Sequence, residues 1–409
     1  MKQLLIRYRN LALLWAGHVI SHSGDAIYQL ALPWLVLELT GSKSTTSLVA
    51  VAAYLPAVLF SLVAGVVVDR FDHRRVMMFA DLARMGVMLA LVGYLLTGGA
   101  SPIIIGLIAF AVASFATLFY PAREALVPDL VPPAALTSAN AFLSTSGQFA
   151  HLAGPLLAAA LVIWVGLTHL FTIDALSFGA SLLFLALIGS RRPMPARPDK
   201  PSRSHMADIV EGLRFVRRER ALGLLILLTA LNNLFIMGPA VIGTPIFVRE
   251  VLQLDFRAFA TVEAFMAAGM LIGSLTLLRF GKAFNPSVVL FAGMVMDGLT
   301  YSALYFMDTY THTKALLLVH GIGIPLITVS RTTIIQTVVP RAFRGRVFSM
   351  VTLSVIGLTA LSSGLVGPLA EVVPIQTIFL GIGVGAAGCG FIGLSHRGMM
   401  QLARNRKGG

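Results

Sequence analysis

The chain has 409 residues, of which 57% are hydrophobic and 12% charged, where an ordinary soluble domain carries about 25% charged residues. A composition this apolar excludes a cytosolic enzyme, a disordered tail protein and a secreted disulfide scaffold, and the single cysteine, Cys389, permits neither an intrachain disulfide nor a cysteine-based zinc site. The net charge of +13 would point to nucleic acid in a soluble protein, so the placement of the charges has to decide.

A helix needs about 20 mainly apolar residues to cross the hydrocarbon core of a bilayer. Twelve stretches meet this, over 11–39, 46–68, 76–97, 102–122, 139–163, 168–188, 221–248, 258–278, 287–307, 315–338, 347–369 and 375–395. The first runs too long for a signal peptide and ends in Leu-Glu-Leu-Thr-Gly rather than a small-residue cleavage site, so it is read as a span. The ten-residue alternating segments of a β-barrel are absent. With the N-terminus in the cytoplasm, 25 Lys and Arg fall on the inner side and 4 on the outer, while Arg84 and Arg331 lie within spans. That asymmetry is the positive-inside pattern. The basic charge therefore reports topology, and nucleic acid is not an expected partner. The predicted fold is an all-α membrane protein of twelve transmembrane helices in two six-helix bundles, residues 1–188 and 221–409, with both termini cytoplasmic.

Residues 189–220 separate the bundles. Pro and Arg dominate the first half of this segment, as in a cytoplasmic linker. Ile209, Leu213 and Val216 then recur at helical spacing among Arg214, Arg217 and Arg218. This pattern suits either an amphipathic helix on an anionic inner leaflet or a plain tether. The two halves also align at an offset of 208 residues: Asp25 falls on Asn233, Gly65 on Gly273, Arg123 on Arg331, and Val131-Pro132 on Val339-Pro340. Such duplication marks parallel-repeat transporters, whose substrate site lies between the repeats near the midplane.

No nucleotide-binding or hydrolytic motif is present, so no catalytic residue, cofactor or metal is expected. The most specific motif lies between spans two and three and reads Gly65-Val-Val-Val-Asp69-Arg70-Phe-Asp-His-Arg74-Arg75. Gly65 permits close helix approach, Asp69 sits at a helix end where it can pair with basic groups or a helix N-terminus, and Arg70, Arg74 and Arg75 hold the loop on the inner side. The motif resembles the signature loop of the major facilitator superfamily. Trp15-Ala-Gly17, Ser21-His-Ser-Gly24-Asp25, Ala80-Asp81-Leu-Ala-Arg84, Tyr120-Pro121-Ala-Arg123, Pro128-Asp129-Leu-Val-Pro132 and Arg344-Gly345-Arg346 narrow the resemblance to bacterial drug:proton antiporters of the macrolide-efflux type. The likeness covers essentially the whole chain. It implies export by alternating access in the bacterial cytoplasmic membrane. Relatives handle macrolides, tetracyclines, siderophores and lysophospholipids. The antiporter motif on span five departs from its pattern. Only Gly154, followed by Pro155, survives of its glycines, with alanine at 141, 150, 158 and 159. Small residues still allow close packing. In the second half Leu277 stands where Asp69 would repeat.

Ionisable groups at membrane depth usually face a cavity or a partner. His18, His22, Asp25 and Gln29 share one face of span one. Asp25 either exchanges a proton as its surroundings dry and wet, with His22 sharing it, or simply holds span one to a neighbour. Gln148 and His151 on span five, Asn233 on span seven, and Glu263, Asp297 and His320 on spans eight to ten are further proton or substrate candidates. Asp174, nearer the outer face, ranks below them. Asp81 and Arg84 are expected to pair. Arg123 and Arg331 are expected to brace the inner gate with Asp69, Glu124 or Asp129. The resulting expectation is a monomeric proton-coupled exporter of a hydrophobic or amphiphilic small molecule, with lipid as its surroundings. The alternatives are a lysophospholipid flippase or siderophore exporter on the same fold, or a sensor or scaffold that transports nothing.

Overall fold

The computed structural model describes residues 6–189, 214 and 216–401. Ile209 and Leu213 of the linker lie outside the described residues, as does the side chain of His151. Among the described residues the chain is helical, with no strand. The principal helices are α1 (Arg9–Thr40), α2 (Lys43–Arg70), α3 (His73–Leu96), α4 (Pro102–Leu130), α5 (Leu136–Leu187), α6 (Arg220–Gly238), α7 (Phe256–Phe280), α8 (Pro286–Ala303), α9 (Tyr310–Val338), α10 (Arg341–Val372) and α11 (Ile375–Ser395). Ten helical stretches among the described residues are long and apolar enough to cross a membrane. At 32 residues α1 is long enough, but His18, His22, Asp25 and Gln29 lower its hydropathy and it is not one of the ten.

Local sequence explains where these helices bend and stop. α5 has 52 residues, about 78 Å at 1.5 Å per residue, far more than one crossing of about 30 Å requires. Its helicity breaks at Gly166, with φ 74° and ψ 170°, a conformation that a side chain would strain. The break falls between the stretches 139–163 and 168–188. α1 ends at Gly41, whose left-handed φ of 65° lets its N–H reach the Leu37 carbonyl at 2.9 Å. After α6 the backbone widens into π-type turns over Pro239–Gly243 and Phe247–Val251, beginning at a proline that has no N–H to donate.

The helices group into two compact units, Met1–Gly41 with Leu48–Ser202, and Ser42–Ser47 with Arg203–Gly409. In the first unit α1 packs along α5, and α3 packs against both α4 and α5. One end of this unit is filled by Leu11, Leu14, Met77, Ala80, Ala122 and Val127. Gly154 lies at the α1–α5 contact, where an added methyl would overlap the Ala26 side chain and come within 3.2 Å of the Ala26 carbonyl carbon. Gly24 faces α5 in the same way, against Asp174 and Ser177.

In the second unit α7 packs on α9, α8 on α9 and α11, and α6 on α10 and α11. Gly269 of α7 and Gly321 of α9 meet face to face: a Cβ at either would come within 3.1 Å of the other's Cα. This is the close backbone approach that small residues allow in a membrane. The Ser362 hydroxyl joins α10 to α6, accepting from the Gly238 N–H at 2.9 Å and donating to the Leu234 carbonyl at 2.6 Å. The Ser42–Ser47 segment falls with this unit through Lys43, whose Nζ lies 2.7 Å from Glu250 Oε2 and 3.0 Å from the Ala370 carbonyl. Glu371 accepts from the Ser44 N–H at 3.0 Å and the Ser42 hydroxyl at 3.2 Å.

Gly154→Val should destabilise the first unit by about 1–3 kcal/mol, the usual cost of overpacking. Thermal melting of the purified protein in detergent checks this, with Gly154→Ala the milder of the two.

Candidate functional site

The first unit contains a buried polar cluster built by α1, α3, α4 and α5. α3 supplies its centre. Asp72 caps this helix by accepting from the Arg75 N–H at 2.8 Å. Asp81 and Arg84 follow three residues apart, both with side chains fully buried. Arg84 Nη2 donates to Asp81 Oδ1, the pairing expected from their spacing. Arg84 Nη1 reaches further, to both oxygens of Asp25 on α1, at 3.4 and 3.5 Å. The guanidinium is also stacked near two rings, 4.1 Å from the Phe178 centroid and 4.8 Å from that of Phe119. Two carboxylates and two aromatic faces thus replace the water that the cation has lost.

Asp25 links this centre to a more open edge. The Tyr120 hydroxyl on α4 lies 3.4 Å from Asp25 Oδ2 and 3.4 Å from His22 Nδ1. His22 stacks on His18, ring centroids 5.3 Å apart, and His18 Nε2 is 2.8 Å from Arg123 Nη1. Gly147 of α5 makes room for His18, since a Cβ there would lie 3.1 Å from Nε2. A continuous polar path therefore runs from Asp81 through Arg84, Asp25, Tyr120, His22 and His18 to Arg123. His18, His22 and Asp25 come together as their helical spacing predicts. Gln29, on the same face by spacing, is exposed and outside the cluster, as is Gln148.

The second unit holds a smaller counterpart. Asn232 Nδ2 donates to Asp297 Oδ2 at 2.9 Å, Asp297 Oδ1 is 3.3 Å from His320 Nδ1, and the same nitrogen is 2.9 Å from the Thr300 hydroxyl. The Tyr301 ring stands edge-on to His320 at 4.8 Å. Asp297 and His320, two residues chosen separately from the sequence, are one pair in space. Asn233 aligns with Asp25 at the 208-residue offset, yet its neighbour Asn232 makes the contact, and Asn233 Nδ2 is buried with no hydrogen bond. Glu263 is buried near Tyr301. Among the described residues no group of three His, Cys, Asp or Glu could hold a metal ion.

The signature loop is arranged differently from its expected pairing. Arg74 donates from Nε to the Leu185 carbonyl at 2.7 Å and from Nη2 to the Ala186 carbonyl at 2.6 Å, so it caps the end of α5. Asp129 pairs with His73 at 3.7 Å, and Arg123 lies 3.7 Å from Glu124. Asp69, Arg70 and Arg75 are exposed, Gly65 half-buried, and Arg331 half-buried within α9. Among the described residues neither Asp69 nor Arg331 has an ion-pair partner. Sequence reasoning missed the Arg84–Asp25 contact and the bridging role of Tyr120. The first was signalled by an arginine inside the same bundle as an intramembrane aspartate; the second had no signal in the sequence.

Arg84→Met should leave Asp25 and Asp81 facing one another without a cation and cost about 3–5 kcal/mol, as for a broken buried ion pair. Melting in detergent should show most of this recovered when Asp25→Asn and Asp81→Asn are added.

A family model described as transmembrane secretion effector matches residues 5–402. Macrolide efflux protein A of Streptococcus pyogenes is 27% identical over 342 residues, covering 82% of this chain and 83% of that protein. The multidrug efflux pump Tap of Mycobacterium tuberculosis (strain H37Rv) is 27% identical over 399 residues, covering 94% and 92%. Among solved structures the fold resembles the nucleoside transporter NupG, with a TM-score of 0.76 at 11% identity over 94% of this chain and 98% of that one. Sequence and fold agree: the chain belongs to the transmembrane secretion effector family of the major facilitator superfamily, and is a multi-pass efflux transporter of the bacterial inner membrane rather than an enzyme.

Proposed function

We propose that this transporter exports a hydrophobic or amphiphilic, drug-like molecule in exchange for protons, by alternating access of two six-helix bundles. In this reading twelve helices span the membrane, the termini and the 189–220 linker are cytoplasmic, and a monomer suffices. The names of the two efflux relatives support a drug-like cargo, and the 25-to-4 distribution of Lys and Arg supports the orientation.

The observation that carries the coupling is the position of Asp25. Its carboxylate, 11% exposed, touches an arginine with no exposure at all. Through Tyr120 it also touches His22, which is only half-buried. A proton arriving along His22 and Tyr120 would neutralise Asp25 and weaken its hold on Arg84, loosening α1 from α3. Release of the proton would restore the pair. A proton can drive a conformational change only through its differential affinity for the two states, and a contact that depends on charge provides that difference. Asp297 and His320 form a similar charge-dependent contact between α8 and α9, and serve as a secondary site in this reading. Asp69, Arg70, Arg74, Arg75, Arg123, Asp129 and Arg331 belong to a gate on the inner side, with Gly65, Gly154 and Pro155 permitting helix contact.

Asp25→Asn should abolish uphill transport of a macrolide or of tetraphenylphosphonium in everted vesicles energised by a pH gradient. Counterflow of the same probe, which needs no net proton movement, should persist. Undiminished gradient-driven transport by the variant would remove Asp25 from the mechanism.

A further inference from the structure

Asp174 on α5 has no part in the mechanism so far, yet its setting is the most demanding for a charge in the first unit. The side chain is fully buried. Oδ1 lies against the α1 backbone at Gly24, where a Cβ could not fit, and accepts from the Ser177 hydroxyl at 3.4 Å. The same hydroxyl donates at 2.7 Å to the Asp174 backbone carbonyl, the shorter of its two contacts. Oδ2 is buried with no hydrogen-bond partner, and so is the phenolic oxygen of Tyr28, one turn beyond Asp25 on α1.

The charge count sharpens this. Asp25, Asp81 and Asp174 are all within electrostatic reach of Arg84, the one buried cation of this group. Both Nη atoms of Arg84 are engaged, one with Asp81 and one with Asp25. If all three carboxyls were ionised, two negative charges would be uncompensated in an apolar interior, the costliest arrangement available there. Asp81 and Asp25 have direct contacts with the guanidinium. Asp174 has only a shared hydroxyl, so it is the carboxyl with least to hold it ionised. The groups around it are Asp25 and Tyr28 from α1, Tyr54 from α2 beside Tyr28, Asp81 and Arg84 from α3, and Tyr120 from α4 beyond Asp25. None of these is a second cation.

We propose that Asp174 is a second proton-binding carboxyl of the first unit, linked to Asp25 because both draw on the charge of Arg84. When Asp25 is ionised and paired with Arg84, Asp174 holds its proton. When Asp25 is neutralised or drawn away, Arg84 is freed to stabilise an ionised Asp174, and the proton leaves. The proton load is thus passed between α1 and α5 across the close contact at Gly24, rather than resting on Asp25 alone. Its place in a transport cycle rests on the antiport reading above. The occupancy of Asp174 does not, and the test is chosen to read occupancy directly.

Infrared spectroscopy of the full chain reconstituted in lipid measures the C=O stretching band of neutral carboxylic acids without any transported molecule. At neutral pH, Asp174→Asn should remove one such band, and Asp25→Asn should weaken it, because an uncharged residue 25 frees Arg84 to hold Asp174 ionised. Ser177→Ala, which takes away the hydroxyl at Oδ1, should shift that band in frequency and serves where Asp174→Asn fails to fold. On titration the band should vanish at a lower pH in Asp25→Asn than in the parent, because an acid has been removed and Arg84 released. A spectrum in which Asp174→Asn removes no band and Ser177→Ala shifts none overturns the assignment of the proton. A titration midpoint unmoved by Asp25→Asn overturns the link between the two carboxyls. Failure of Asp25→Asn to affect gradient-driven transport would remove Asp25 from the proposed antiport mechanism while leaving these spectral outcomes intact.

Discussion

Placing a guanidinium inside an apolar bundle is costly, and the cost falls only if other groups replace its water. Arg84 meets this requirement with Asp81 from its own helix, Asp25 from α1 and the faces of Phe119 and Phe178 from α4 and α5. Four helices are thereby committed to a single side chain. The contacts are unequal. Asp81, three residues away on the same helix, is bound tightly, whereas Asp25 is held at 3.4 Å or more and is shared with Tyr120. A tight local pair and a loose distant one allow the cation to stay satisfied while one of its partners changes state, which a single symmetric pair would not allow.

The two units solve the problem of intramembrane polarity differently. In the first, a permanent cation is surrounded by an excess of acid. In the second, Asp297 is met by His320 and Asn232, groups that can be neutral, so the cluster carries no obligatory charge. The two halves, set at the 208-residue offset, differ at the polar positions. The position of Asp25 is taken by Asn233 and that of Asp69 by Leu277. The proposed mechanism accordingly places its primary proton chemistry in the first unit and a secondary site at Asp297 and His320.

Around both clusters, close backbone approach is what brings polar groups within reach. Gly24 and Gly154 set α1 against α5, and Gly269 and Gly321 do the same for α7 and α9. In lipid there is little hydrophobic drive between helices, so such packing carries much of the cohesion. The signature loop contributes in the same mechanical sense. Arg74 donates to the Leu185 and Ala186 carbonyls in the last turn of α5, tying the α2–α3 turn to the α5 terminus.

Much of this protein was determined by periodicity and composition alone. The apolar stretches, their interruption near Gly166 and the Asp81–Arg84 pair all follow from local rules, because hydrocarbon demands long apolar helices and because residues three or four apart share a helical face. The same rule placed His18, His22 and Asp25 together. Tertiary structure alone decided which helices those faces meet: that Arg84 reaches across to Asp25, that Tyr120 joins Asp25 to His22, that Asp297 and His320 are one pair, and that Asp174 lies against Gly24 with an oxygen left without a donor. These contacts join residues 59, 95, 98, 23 and 150 positions apart, and separation along the chain carries no information about which faces pack. That choice is made by the fit of small residues against neighbouring backbones and by the need of each buried charge for a counter-charge, both of which exist only once the helices are assembled.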